Sequence, residues 1–151
     1  MAESALVKPV RIYWSREKCT MCLSCMVVCA ERHTGMSALS RSRIQLLVTL
    51  PYGEALAQYC RQCRNSPCAA ACPQEAIRFN EQHRVWLVDK ELCTGCGDCV
   101  EACRFNAIKV DPVTELAAKC DLCLGAARCV EICPANALTV KEQTGRGNNE
   151  E

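Results

Sequence analysis

Apolar residues along this chain occur in short runs separated by polar residues. Runs rich in β-branched and aromatic residues predict strands at 11–15, 43–48, 76–79, 85–88, 107–110 and 137–140. The segment EQH should turn the third of these strands back onto the fourth, and Asp111-Pro112 should close another hairpin. Short segments rich in small residues precede three of the strands and predict brief helices. The pattern therefore predicts an α+β chain of short helices and small antiparallel β-hairpins.

Three segments of the chain repeat one another, and each contains cysteines at the same places. They are CAAACPQEAIRF at 68–79, CVEACRFNAIKV at 99–110 and CVEICPANALTV at 129–140. In each segment a helical turn leads through Ala-Ile or Ala-Leu into a strand. The segment after Cys29 departs from this pattern, because AERHTGM follows and the strand comes later. We therefore expect an extended loop there.

The sixteen cysteines form four groups, each with three closely spaced thiols followed by a fourth after three residues. The groups are Cys19, Cys22, Cys25, Cys29; Cys60, Cys63, Cys68, Cys72; Cys93, Cys96, Cys99, Cys103; and Cys120, Cys123, Cys129, Cys133. This spacing is typical of bacterial ferredoxins, in which the fourth cysteine of one run ligates the other cluster. The second and last groups widen the middle gap and end in Cys-Pro. The spacing predicts four [4Fe-4S] clusters, with all sixteen cysteines as iron ligands.

Metal ligation also fits the composition, because the chain has sixteen Cys but only two Phe, two Trp and three Tyr. Disulfides are disfavoured, since residues 1–18 lack a secretory signal pattern and two-residue gaps suit disulfide geometry poorly. Zinc is the more serious alternative. Zinc knuckles, however, come as pairs of cysteines rather than as triplets with a fourth.

Charge and hydropathy limit the expected surroundings and partners. No apolar run approaches the roughly 20 residues of a membrane span, so we expect a soluble, cytoplasmic protein. The formal net charge is +1. Each cluster with four thiolates contributes about −2, which brings the loaded protein to about −7. The basic residues are scattered, and nucleic acid is not an expected partner.

Two pairs of residues beside the cysteines are candidates for tuning the clusters. Lys18 and Lys119 each precede the first cysteine of a group, where a cation would raise the potential of a cluster; the alternative is an ordinary solvated lysine. Gly95 and Gly97 are expected in left-handed turns that let backbone donors approach sulfur.

The histidines and tryptophans are not needed as ligands, because sixteen thiols suffice for four clusters. His33 and His83 are expected at the surface or in turns. Trp14 and Trp86 are expected to cover a cluster or fill the small core, with a partner interface as the alternative.

Over residues 9–140 the chain resembles the four-cluster iron-sulfur subunits of molybdenum and tungsten oxidoreductases. That class includes electron-transfer subunits of formate dehydrogenases and dimethyl sulfoxide reductases. The compact segment KCDLCLGAARCVEICPANAL at 119–138 looks more like the small subunit of tungsten aldehyde oxidoreductases and the related benzoyl-coenzyme A reductase component.

The resemblance implies two ferredoxin-like lobes stapled by four clusters. The outer lobe would comprise 1–50 and 107–143, the inserted lobe 51–106, and residues 144–151 would form a disordered tail. The first cysteine group would pair with the last, and the second with the third. The implied ligands are set 1 (Cys19, Cys22, Cys25, Cys133), set 2 (Cys60, Cys63, Cys68, Cys103), set 3 (Cys93, Cys96, Cys99, Cys72) and set 4 (Cys120, Cys123, Cys129, Cys29). Arg104 and Ala30 stand where the family has proline.

We therefore expect a non-catalytic electron-transfer subunit. A compact chain of this length has a radius of gyration of about 15 Å, which keeps four clusters in a line within roughly 13 Å of their neighbours. The resemblance implies a catalytic tungsten or molybdenum subunit as partner, with a flavin subunit or a ferredoxin as candidate acceptor and self-association as a further candidate.

Several alternatives to this function stay open. The chain could be a free-standing polyferredoxin, the electron-transfer subunit of a formate dehydrogenase or benzoyl-coenzyme A reductase-type complex, or a zinc-stapled interaction module. An enzyme with an open iron site would need a motif with three cysteines, and none of the four groups is short of a ligand.

Overall fold

The computed structural model describes residues 9–49, 51 and 53–143. The strands in this range are β1 Val10–Trp14, β2 Gln45–Thr49, β3 Glu54–Gln58, β4 Ile77–Asn80, β5 Val85–Val88, β6 Ile108–Val110, β7 Ala117–Lys119 and β8 Leu138–Glu142. The helices are α1 Ser24–Thr34, α2 Pro67–Ala70, α3 Asp98–Ala102 and α4 Arg128–Ile132, with 3-10 turns at Leu39–Arg41 and Leu122–Gly125. The predicted tail at 144–151 lies outside the described residues.

The strands pair into small antiparallel sheets of two strands each: β1 with β8, β2 with β3, β4 with β5, and β6 with β7. The predicted hairpin at 76–88 is confirmed, since Ile77 faces Val88 across β4 and β5. The predicted turn at Asp111 is confirmed as well, because its carboxylate accepts the backbone N–H groups of Val113 and Thr114. The α+β class with short helices and small hairpins is therefore confirmed.

Two long-range contacts fold the chain back on itself. β1 pairs with β8, with Ile12 opposite Val140 and Trp14 opposite Leu138, and α1 packs against α4. These contacts bring the first cysteine group beside the last. In the middle of the chain α2 packs against α3, which brings the second group beside the third.

The prediction of an extended loop directly after Cys29 is wrong. Helix α1 continues to Thr34 and ends at Gly35, whose φ of 70° places it in the left-handed region. The Gly35 N–H donates to the carbonyl of Glu31, which satisfies a helix C-terminal acceptor. A 3-10 turn at Leu39–Arg41 then leads into β2.

Buried residues form two clusters that follow the two pairings of cysteine groups. The larger contains Ile12, Met26, Ile44 and Leu46, and the smaller contains Ile77, Cys99 and Ile108. The hairpin of β6 and β7 packs on the smaller cluster, whereas Ala57 of β3 belongs to the larger. The lobe boundaries at residues 50–51 and 106–107 stay a prediction.

Within the described residues, no helix has the length and apolarity needed to cross a bilayer. The longest, α1, has only 11 residues.

Candidate iron-sulfur sites

Three cavities of the molecule are each lined by four cysteines, one from a distant part of the chain. The residues of set 1 line one cavity, those of set 2 line a second, and those of set 3 line a third. The distant members are Cys133, Cys103 and Cys72. At each of these three cavities the fold thus brings three cysteines of one group together with the fourth cysteine of another.

Of the set 4 cysteines, Cys29 and Cys129 are buried, and Cys120 and Cys123 are partly exposed. Burial, together with the charges of the neighbouring Cys29 and Cys123, raises the pKa of Cys129 to about 12. Burial also raises the pKa of Cys120, with contributions from the charges of Cys60, Cys129 and Cys29. Cys29 and Cys129 also belong to the same cluster of buried residues, and Cys120 packs against it.

Several of the other thiols also resist ionisation. Burial, together with neighbouring thiols, raises the pKa of Cys25 and of Cys99 to about 11. Burial also raises the pKa of Cys63. The exception is exposed Cys22, whose pKa is lowered by a hydrogen bond with the Ser24 hydroxyl. Crowded thiols of this kind become thiolates when a metal centre supplies compensating positive charge. Four crowded thiols at one site therefore suit a [4Fe-4S] cluster.

A repeated hydrogen bond holds the fourth cysteine of each group. In three groups the sulfur accepts a backbone N–H from the alanine four residues later, at 3.3–3.4 Å: Ala76 to Cys72, Ala107 to Cys103 and Ala137 to Cys133. In the first group Cys29 accepts at 3.3 Å from Arg43, fourteen residues later. The first group thus keeps this hydrogen bond, although the end of α1 and the 3-10 turn lie between its acceptor and its donor in the chain.

Left-handed backbone recurs at corresponding places in every group. Gly95 and Gly97 have φ of 71° and 88°, which confirms the turns predicted for them. The corresponding residues of the other groups are not glycines, yet they also have positive φ: Met21, Leu23, Gln62, Ser66, Leu122 and Ala127. Each such residue costs about 1–2 kcal/mol. The turn aims backbone N–H groups at sulfur, as with Gln62 to Cys60 and Leu122 to Cys120, both at 3.4 Å.

Lys119 is buried, with 2% of its surface exposed, whereas Lys18 is exposed. The Lys119 ammonium donates to the carbonyl of Trp86 at 2.7 Å and pairs with no carboxylate among residues 9–49, 51 and 53–143. A buried charge without a counter-ion is strongly unfavourable. Anionic clusters beside it would supply the missing negative charge, so Lys119 also fits the cofactor.

The expectation that His33 is a surface or turn residue is wrong. Its imidazole lies half-buried at the end of α1, 3.9 Å from the sulfur of Cys123 and 3.4 Å from the carboxylate of Asp121. Burial, with the Arg43 cation, lowers the pKa of His33 to about 4, so the ring is neutral at neutral pH. Arg43 pairs with Asp121 at 3.1 Å. Sequence reasoning missed this group at set 4, because its members are far apart in the chain.

The remaining aromatic and histidine expectations agree with the geometry. His83 lies in the turn at 81–84 between β4 and β5. Trp14 lines the set 1 cavity and Trp86 lines the set 2 cavity, and each also packs against a cluster of buried residues. Both tryptophans therefore lie against the candidate iron-sulfur sites.

Fold and cysteine sites together define a multi-cluster ferredoxin-type protein. The family model described as a 4Fe-4S dicluster domain matches residues 52–143, more than half of the chain. The chain belongs to this family, and its cofactors are [4Fe-4S] clusters, four for its sixteen cysteines.

Curated relatives share about a third of the aligned residues. An uncharacterized ferredoxin of Methanocaldococcus jannaschii is 36% identical over 76% of this chain and 65% of its own length. The thiosulfate reductase electron transfer subunit of Salmonella typhi is 32% identical over 70% of this chain and 57% of its own length. The formate dehydrogenase iron-sulfur subunit of Wolinella succinogenes is 35% identical over 65% of this chain and 50% of its own length. The chain thus spans less than two thirds of these relatives.

One solved structure supports the fold. A chain of the active site complex BamBC of benzoyl coenzyme A reductase, in complex with benzoyl-CoA, matches with a TM-score of 0.51. The match covers 89% of this chain and 80% of that chain at 21% identity. At this identity the likeness concerns the fold alone.

Proposed function

We propose that the protein is a non-catalytic electron-transfer subunit that relays single electrons through four [4Fe-4S] clusters between a catalytic oxidoreductase subunit and an acceptor. The observation that carries this proposal is the gathering of sixteen cysteines into four adjoining sets in one small molecule. Relatives named as electron-transfer or iron-sulfur subunits of thiosulfate reductase and formate dehydrogenase support it.

We further propose sets 1 to 4 as the ligands of the four clusters. When bound, a [4Fe-4S] cluster accepts and releases one electron with little movement of its ligands. The chain's own residues hold the four sites close together. Backbone N–H groups, such as those of Ala107 and Ala137, donate to the ligand sulfurs and stabilise added negative charge.

The proposed order along the line is set 1, set 4, set 2, set 3. Support comes from thiols of different sets that affect each other's pKa: Cys25 acts on Cys129, and Cys60 acts on Cys120. The charge of Cys68 likewise raises the pKa of Cys99, which indicates that set 2 and set 3 are neighbours.

The two ends of this order have the most open cysteines. Cys22 of set 1 and Cys96 of set 3 are the exposed cysteines of the chain. An electron can therefore enter at one of these sulfurs and leave at the other without crossing a thick layer of protein.

For the catalytic subunit, we propose a partner of the tungsten aldehyde oxidoreductase type. This proposal of a partner rests on the compact last cysteine group and on the fold shared with the benzoyl coenzyme A reductase chain. A free-standing polyferredoxin is the second candidate, favoured by the likeness to the Methanocaldococcus jannaschii ferredoxin. Co-purification of the tagged chain with a large tungsten or molybdenum subunit would distinguish the two.

The decisive experiment on the proposed function is anaerobic purification followed by iron and sulfide analysis and reductive titration. We expect about 16 iron atoms and 16 sulfides per chain and stepwise uptake of about four electrons, monitored by electron paramagnetic resonance. A colourless preparation that contains zinc instead of iron would refute the proposal.

A further inference from the structure

The cavity at set 2 is far larger than the other two cysteine-lined cavities. Its volume is about 590 Å³, compared with about 20 Å³ at set 1 and about 10 Å³ at set 3. Each of the three is lined by four cysteines, so a cluster alone does not account for the difference. Ligand pockets in proteins typically have about 300–1,000 Å³. The set 2 cavity therefore has room for a second occupant beside a cluster.

The walls of the set 2 cavity are strongly positive. They include five cations and no carboxylate: Arg11, Arg61, Arg64, Arg104 and Lys119. The walls of the set 1 and set 3 cavities contain no charged residue, so cations are not needed to hold a cluster. An oxidised cluster with its thiolates contributes about −2, which leaves a surplus of about +3 at set 2.

Aromatic rings hold three of these guanidinium groups in place. Arg61 lies 4.5 Å above the ring of Tyr59, and Phe105 contacts both Arg61 and Arg104, at 5.4 and 5.0 Å. Arg11 lies 4.3 Å above the ring of Tyr13. A guanidinium stacked on a ring keeps its N–H edges available for two parallel bonds to a carboxylate or phosphate.

These donors lack anionic partners within the described part of the chain. None of the four cavity arginines forms an ion pair with a carboxylate of residues 9–49, 51 or 53–143. The Arg11 Nε and the Trp86 indole nitrogen are buried without a hydrogen-bond acceptor in that range. Buried donors without an acceptor are unfavourable, and both residues line this cavity.

We propose that the set 2 cavity binds a small organic anion bearing phosphate or carboxylate groups. The guanidinium groups already cover faces of Tyr13 and Phe105, so recognition depends on the negative groups more than on stacking. The anion site rests on the cavity alone; its effect on electron transfer rests also on the proposed function. An anion beside set 2 opposes the added charge of a reduced cluster, so anion binding lowers the potential and reduction weakens anion binding by the same factor.

The test is anaerobic calorimetric titration of the cluster-loaded protein with ATP, pyrophosphate and citrate in turn. These probes separate phosphate from carboxylate recognition and show whether a base contributes. We expect at least one to bind with a stoichiometry of one. The double variant Arg64→Gln/Arg104→Gln should bind that probe at least tenfold more weakly, because it loses two charged donors.

The matched control is Arg16→Gln/Arg78→Gln, which removes the same charge from exposed arginines outside the cavity. We expect this control to change the affinity less than twofold, and iron content to be equal in all three proteins. Equal weakening in both double variants, or no binding of any probe, would overturn the proposal. So would binding of a hexaglutamate peptide alone, which would indicate an acidic protein segment. A loaded protein that cannot be reduced would refute the proposed function, not the anion site.

Discussion

At the scale of single residues, Lys119 has an unusual position for an ammonium group. It is almost fully buried, bonds a carbonyl, and adjoins Cys120 of the last group and the cavity of set 2. Its position in the sequence suggested a tuning role, but the sequence could not separate Lys119 from Lys18. Only the structure shows that one is buried and the other exposed.

We predict that Lys119→Gln lowers the potential of a cluster at set 2 or set 4 by on the order of 60 mV, equivalent to a tenfold change in the one-electron equilibrium. The physical reason is loss of a poorly screened positive charge beside the site. Potentiometric titration followed by electron paramagnetic resonance measures it. The control Lys18→Gln should shift potentials by no more than about 15 mV, since solvent and salt screen an exposed charge. Equal shifts in both variants would contradict a special role for Lys119.

A second prediction concerns the buried pair of Asp111 and Arg41. Two hydrogen bonds of 2.9 and 3.0 Å join them, and the Arg41 guanidinium holds the pKa of Asp111 well below its usual range. Asp111→Asn should lower the free energy of unfolding by about 3 kcal/mol, because it leaves a buried guanidinium unpaired. Anaerobic denaturant titration of the loaded protein measures this.

The difference in unfolding free energy between the native protein and Asp111→Asn should depend on pH with a definite sign. Because the folded pKa of Asp111 is depressed, the pair contributes fully above the unfolded value of about 3.9 and loses its contribution as pH falls further. The stability gap between native protein and Asp111→Asn should stay constant from about pH 8 to pH 5 and narrow below about pH 4. The exposed pair Arg128–Glu131 provides the control: Glu131→Gln should cost no more than about 0.5 kcal/mol. A gap that widens with acid would contradict this account.

At the scale of secondary structure, the sequence predicted those elements that are specified by residues close together in the chain. The hairpin of β4 and β5 and the turn at Asp111 follow from apolar alternation and turn residues. β3 and β7 were missed because EALAQ and AAK have low strand propensity and become strands by pairing with β2 and β6. The length of α1 was missed although Arg32 and His33 followed by Gly35 are typical of a helix C-terminus.

The left-handed turns yield an element-scale prediction. A Cβ at Gly95 would lie 2.0 Å from the carbonyl oxygen of Glu115, whereas one at Gly97 would meet nothing within 4 Å. Gly95→Ala should therefore lower the free energy of unfolding by about 3 kcal/mol, combining backbone strain and overpacking, and Gly97→Ala by about 1 kcal/mol. Anaerobic denaturant unfolding of both loaded variants measures these values. Equal costs would show that the close approach to Glu115 relaxes freely.

At the scale of the whole molecule, the interleaving of cysteine groups organises the candidate sites. Motif spacing alone predicted which residues are ligands, and the family resemblance implied which groups share a cluster. Cavity size, the burial of Lys119 and the contact of His33 with Cys123 depend on the packing of distant segments. No local pattern encodes these features.

The wiring is testable with two substitutions of equivalent cysteines. Cys133→Ser should damage the cluster at set 1, built mainly by Cys19, Cys22 and Cys25, and Cys103→Ser should damage the cluster at set 2. Each variant should retain about three quarters of the iron or hold one cluster with altered spectroscopic parameters. Iron analysis and electron paramagnetic resonance distinguish the affected sites. Loss of the same cluster in both variants, or of the cluster at set 3 in Cys133→Ser, would refute the proposed ligand sets.

The pairing of β1 with β8 has a consequence for biosynthesis. If sets 1 to 4 are the ligands, the thiols of sets 2 and 3 have all been synthesised once residue 103 leaves the ribosome. Set 4, in contrast, stays incomplete until Cys129 emerges, 26 residues later, and set 1 until Cys133 emerges, 30 residues later. The nascent chain can thus receive the cofactors of its two middle cysteine groups first, while its earliest cysteines must wait unligated for the latest ones.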